Sequence, residues 1–211
     1  MKTRKFFLIG LIMVLLSGCV VYSFYPLYTE KDLFANDILT GSWFESDDQE
    51  VKFSEEESTW TFEHPFINKE KGNERDSLSY LLNYKVKDGD QYLESAYDVH
   101  LIKLAGQYFL DFYLIDYAEG VENVKLDDFH LIPVHTFAKL TVDDNQLKIN
   151  WFDNDWLEKL IRENKIRIHH EETDDLILLT AKPQELQKFV TKYVNSEDAF
   201  DEGLEVILQR K

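Results

Sequence analysis

Cys19 is the only cysteine of this 211-residue chain. Its thiol therefore has no disulfide partner within the chain and is left for nucleophilic chemistry, and alkylation is what a thiolate does best. Leu16, Ser17 and Gly18 stand directly before it. Six histidines are the next candidates. His130 and His135 are five apart in a predicted strand, an odd offset that points them to opposite faces. His169 and His170 are adjacent and diverge for the same reason. The acids behind them, Glu171, Glu172, Asp174 and Asp175, leave two readings open, a weak divalent-cation site or a solvated turn between strands. His64 and His100 have no evident partner. Paired carboxylates recur at Asp47-Asp48, Glu55-Glu56-Glu57, Asp127-Asp128, Asp143-Asp144 and Glu197-Asp198. Glycosidase acids need burial and a set separation across a cleft, and these pairs fall in predicted turns. Asp153-Asn154-Asp155 lacks the glycine and closing Glu of a calcium loop. No Gly-x-Ser-x-Gly elbow, phosphate-cradling loop, His-Glu-x-x-His or paired-Cys motif occurs. The expectation is no catalytic residue, no metal ligand set and no dissociable cofactor.

The segment before Cys19 gives the thiol its context. Lys2, Arg4 and Lys5 form a basic stretch, and Phe6 to Leu16 is apolar except for Gly10. Eleven residues of helix reach roughly 17 Å, short of a hydrocarbon core of about 30 Å. Residues 1–18 thus read as a cleaved signal peptide rather than a membrane span. Leu16-Ser17-Gly18-Cys19 resembles the lipobox of bacterial lipoproteins at all four positions. The resemblance implies cleavage before Cys19 and a diacylglyceryl group on its sulfur, with a further acyl chain on the new amino terminus in many bacteria. Two or three chains give stable anchoring where one is marginal. The expected address is membrane-anchored and extracytoplasmic. In sorting of the enterobacterial kind an Asp after the cysteine retains a lipoprotein at the inner membrane, so Val20 favours the outer membrane where the host has one.

Downstream, the chain is acidic, with 40 acidic residues against 23 basic and a net charge of −17. Such a body repels phosphate backbones, which argues against nucleic-acid binding. Residues 19–38 read as a lipidated N-terminus with an aromatic tether, Tyr22, Phe24, Tyr25 and Tyr28, that packs onto the body or lies at the lipid interface. Residues 39–211 read as one mainly β domain. Leu78-Tyr80-Leu82-Tyr84-Val86 alternates at period two and ends at Asp88-Gly89, a hairpin dipeptide. Further strands are predicted at Trp43–Glu45, Val51–Phe53, Trp60–Glu63, Glu94–Leu104, Tyr108–Ile115, Val134–Val142, Leu147–Trp151, Ile166–Ile168, Leu176–Leu179 and Leu204–Leu208. Residues 116–128 read as a long loop. Helical spacing breaks in twice, over Asp153–Glu163 and over Pro183–Val194. Asp153 or an Asp155/Glu158 box would cap the first, and Pro183 would open the second.

Strands at this spacing predict a single antiparallel β-barrel or sandwich with two short helices. Gly41-Ser42-Trp43 resembles the Gly-x-Trp opening of lipocalin-like barrels, which implies a Trp packed across a closed end. Tyr25-Pro26-Leu27-Tyr28, Trp60-Thr61-Phe62, Phe109-Leu110-Asp111-Phe112 and Leu131 to Phe137 are similar to an uncharacterised group of bacterial lipoproteins, a resemblance that brings no activity with it. Tyr80, Tyr84, Tyr108, Phe112 and Trp151 either fill a core or line a ligand cavity. The expected function is non-enzymatic. A structural or assembly partner of another envelope protein comes first, a carrier of a small apolar ligand second, and an envelope hydrolase third.

Overall fold

The computed structural model describes residues 20–45, 58–66, 75–88, 91–117, 132–173 and 176–210. The lipobox, Val51–Phe53, His130 and most of the predicted long loop lie outside the described residues.

Alternation builds a closed wall. In β4 (Tyr80–Asp88) the apolar set Tyr80, Leu82 and Tyr84 falls on one face. Trp60 and Phe62 of β3 (Ser58–Glu63) do the same. So do Leu147, Ile149 and Trp151 of β8 (Gln146–Trp151). Around the wall run β2 (Gly41–Glu45), β3, β4, β5 (Gln91–Leu104), β6 (Gln107–Tyr117), β7 (His135–Asp143), β8 and β11 (Glu205–Arg210), and β11 returns to β2. Every neighbouring pair is antiparallel. The result is an eight-stranded antiparallel barrel closed on itself. Two residues join β4 to β5, whose ladder reaches Asp88 opposite Gln91. The β5–β6 turn holds Ala105 at φ 49° and Gly106 at φ 84°, the paired left-handed conformation that matches strand twist in a two-residue hairpin.

A second apolar mass covers the outside of the β5–β7 wall. Ile102, Phe109 and Phe137 point outward there and are buried by the N-terminal segment, two helices and a small flap of strands. β1 (Tyr22–Ser23) takes the edge of β7 beyond the end of β8, and β10 (Ile177–Leu179) pairs parallel to it with β9 (His170–Glu172) outermost. α1 (Asn154–Arg162) begins where Asp153 accepts hydrogen bonds from the backbone N–H groups of Asp155 (2.8 Å) and Trp156 (3.2 Å). Phe152 and Leu157 are both buried beside that cap, as a hydrophobic staple requires. α2 (Pro183–Tyr193) opens on Pro183 and buries Leu186, Phe189 and Val190.

The tether takes the first of its two expected places, and two other expectations differ in detail. The aromatic tether is packed on the body, with Val21 and Leu27 fully enclosed. Ile166–Ile168 is not a strand: Asn164, at φ 54°, ends α1 in a left-handed cap, and the following residues only carry Ile168 into the outer core. His170–Glu172, read within a solvated segment, is the exposed edge strand β9. Among the described residues no helix is long and apolar enough to cross a membrane.

Candidate functional site

The two ends of the barrel differ. At one end the interior is plugged. Trp43 is buried with its indole N–H donated to the Leu39 carbonyl (2.7 Å), and the Arg210 guanidinium lies 4.3 Å over its ring while donating to the Thr40 carbonyl (2.8 Å). Gly41 sits at φ 123°, a backbone conformation that L side chains rarely adopt, so the first position of Gly-x-Trp requires glycine. Tyr80 belongs to this plug. Burial pushes its hydroxyl up to about 12, and the hydroxyl donates to the Asn36 carbonyl. Tyr108 also sits near this end, against Phe34 and under the Lys103 ammonium.

The opposite end is hollow. A cavity of about 580 Å³ opens there, walled by Trp60, Leu82, Tyr84, Tyr97, Phe112, Leu114, Trp151 and Val206 from the inner faces of six strands. Val20, Tyr22, Thr136 and the segment Ile132 to Val134 complete its mouth, together with Leu204 and Glu45. The volume is in the range of small-molecule sites. The rings hold one another in place: Phe112 stacks on Trp151 at 5.4 Å, and Tyr84 meets the edge of Trp60 at 5.2 Å. Both indole N–H groups are satisfied within the wall, Trp60 by Glu45 (2.8 Å) and Trp151 by the Thr136 hydroxyl (3.3 Å), which leaves ring faces toward the hollow. Burial, with Glu45 beside it, pushes the Tyr84 hydroxyl up to about 12, so it stays a neutral donor at physiological pH. Among the described residues the lining contains one carboxylate and no basic side chain.

Of the five aromatic residues expected to line a cavity, Tyr84, Phe112 and Trp151 do so. Tyr80 and Tyr108 do not. Period-two spacing places a side chain on the inner face but says nothing of its height along the barrel axis, and these two stand at the plugged end. Glu45 and Tyr97 are wall residues that sequence reasoning missed. Glu45 shares the inward parity of Trp43, which was a usable signal. Tyr97 likewise shares the inward parity of Val99 and Leu101; the β5–β6 register slips beside it, between Ala96 and Tyr97, and leaves Ile115 of β6 as the extra residue.

A buried polar cluster lies on the other side of the same wall. Asp111 is 1% exposed, in a strand whose neighbours on both faces are apolar. It accepts the Leu27 backbone N–H (2.7 Å) and lies 2.7 Å from His135 Nδ1. His100, opposite Asp111 in the ladder, is stacked on Tyr28 at 4.1 Å, with Asp98 3.8 Å from its Nδ1. Burial lowers the basicity of His100, against the pull of Asp98 and Asp111, and burial raises Asp98. Tyr28 is raised by burial and then by Asp111 and Asp98. The arrangement brings together histidines and a carboxylate that appeared separate in the sequence. Its visible bonds hold residues 25–28 against the barrel. Gln187 of α2 adds a hydrogen bond to the Leu27 carbonyl (3.0 Å).

The other described histidines also have partners. His64 donates to the Ser79 carbonyl (2.8 Å), lies 3.0 Å from Asp37 and stacks on Tyr80, which corrects the reading that it stands alone. His169 turns to Glu185 of α2 (2.8 Å) and His170 to the Ile168 carbonyl (2.7 Å). Among the described residues no three candidate metal ligands lie together. Compared with family models, with curated proteins and with solved structures, the chain matches none.

Proposed function

We propose that this chain is a lipid-anchored envelope protein whose barrel carries a small apolar ligand. The observation that supports the carrier reading is the hollow of about 580 Å³ at one end of an otherwise plugged barrel. A body that served only as an assembly partner would have no need of an unfilled interior, so the cavity moves the carrier ahead of that role. A hydrolase has less support, because the buried Asp111–His135 pair is already engaged with the N-terminal segment. The anchor rests on Leu16-Ser17-Gly18-Cys19 and the basic and apolar stretches before it, and the extracytoplasmic address follows from them.

Organic extraction of the purified protein, followed by mass spectrometry, tests the carrier. Wild type should release an apolar molecule in near-stoichiometric amount, and Val206→Trp, which fills the hollow, should release about tenfold less. Equal recovery from both proteins, or none from wild type, refutes the reading. For the anchor, Cys19→Ser should accumulate as unprocessed precursor that takes up no labelled fatty acid. Normal labelling of that variant refutes it.

A further inference from the structure

We infer that the ligand is an acyl chain of a bilayer lipid, drawn in through a mouth that faces the membrane. This rests on the carrier reading and on lipidation of Cys19, and it adds the chemical class and the direction of approach. The first argument is the lack of slack in the tether. Val21 and Leu27 are buried, β1 is clamped between β7 and β10, and Asp111 holds the Leu27 N–H. Val20 and Tyr22 themselves form part of the cavity mouth. Cys19 directly precedes Val20, and one residue spans at most about 3.6 Å. A lipidated sulfur at Cys19 would thus enter the bilayer beside the opening, not at the end of a flexible leash.

Among the described residues the rim carries exposed aliphatic side chains where a water-facing mouth would be polar. Ile132 is 73% exposed and Leu204 42%, both at the mouth, and Ile115, the bulge residue of β6, is 52% exposed. Aliphatic surface of this kind is disfavoured while it faces water and is relieved once it faces hydrocarbon. The lining favours a chain over a headgroup. Among the described residues it offers ring faces and aliphatic groups, a carboxylate at Glu45, and no cation to neutralise a phosphate or a fatty-acid carboxylate. The anionic or zwitterionic end of a lipid would stay at the rim while its chain fills the hollow. The protein's own acyl chains are the other source of the same chemistry. Withdrawing one of them would weaken an anchor that depends on having two or more, whereas bilayer lipids are in excess, so the bilayer lipid is the occupant.

Photo-crosslinking of the full lipidated protein in phosphatidylcholine vesicles, doped with phosphatidylcholine carrying a diazirine at the end of one acyl chain, tests this. Adducts bearing the mass of the added lipid are expected on Trp60, Phe112 and Val206. Val206→Trp should lower inner-wall adducts about tenfold while sparing adducts at Ile132 and Leu204. Leu114→Phe serves if the first variant melts early. Adducts confined to the rim, or none, overturn the inference. Inner-wall adducts that arise only when the protein's own chains carry the diazirine overturn the bilayer as source. If extraction recovers a non-lipid apolar molecule and the bilayer probe leaves no inner-wall adduct, the carrier reading stands and this inference falls.

Discussion

Asp111 joins parts of the chain that are far apart in sequence, since its two oxygens take the Leu27 N–H and the His135 ring. Asp111→Ala should cost about 3 kcal/mol in urea unfolding, because it strands a buried donor and a buried ring at once. Amide exchange over residues 21–28 should accelerate more than exchange in β2 and β3. A signal for Asp111 was present in the sequence. Tyr108 to Ile115 is an almost unbroken apolar run, the pattern of a strand buried on both faces, and an acid inside such a run must be buried and paired. Reading the run only as half of a hairpin hid that. His100 gives the cluster a pH dependence. Tyr28, Asp98, Asp111, His135 and Asp76 surround it, and burial holds its affinity for protons below the ordinary 6.5. Between that lowered value and about 6.5 the unfolded chain binds more protons than the folded one, so acidification favours unfolding; above about 6.5 the effect vanishes. Asp98, raised above its ordinary 3.8, works in the opposite sense. Urea midpoints should therefore begin to fall as the pH drops below about 6.5, and His100→Phe, which keeps a ring against Tyr28, should flatten that decline.

At the scale of elements, what could be read followed from local rules. Both helices announced themselves by spacing and by Asp153 and Pro183, and the β4 alternation named an inner face because one side of that strand meets solvent. The β5–β6 turn shows a compromise at this level. Ala105 occupies a left-handed conformation that costs a non-glycine residue roughly 1–2 kcal/mol, and Asn bears it better. Ala105→Asn should raise stability by about 0.5–1 kcal/mol, seen as a higher melting temperature without change in ligand recovery. β1 was not legible. It is two residues long and exists through partners more than a hundred residues away, Leu178 and Thr136. β9 was hidden by its acids, which an outermost strand tolerates in water. Height along the barrel axis was equally invisible, which is why Tyr80 and Tyr84 parted company.

For the whole molecule, charge and pattern pointed to an acidic barrel, but not to which end is plugged. That depends on how Arg210 of the last strand meets Trp43 of the second, a closure that spans nearly the entire chain. The wall of β5–β7 serves two apolar masses at once, the hollow within and the helical layer outside. Its outer covering includes Val21 and Leu27, which stand only a few positions after the expected maturation site. A recombinant version trimmed to begin at Thr29 would lose two shielding side chains and the donor to Asp111. It would leave Phe109 and Phe137 partly unroofed, and so would be prone to self-association.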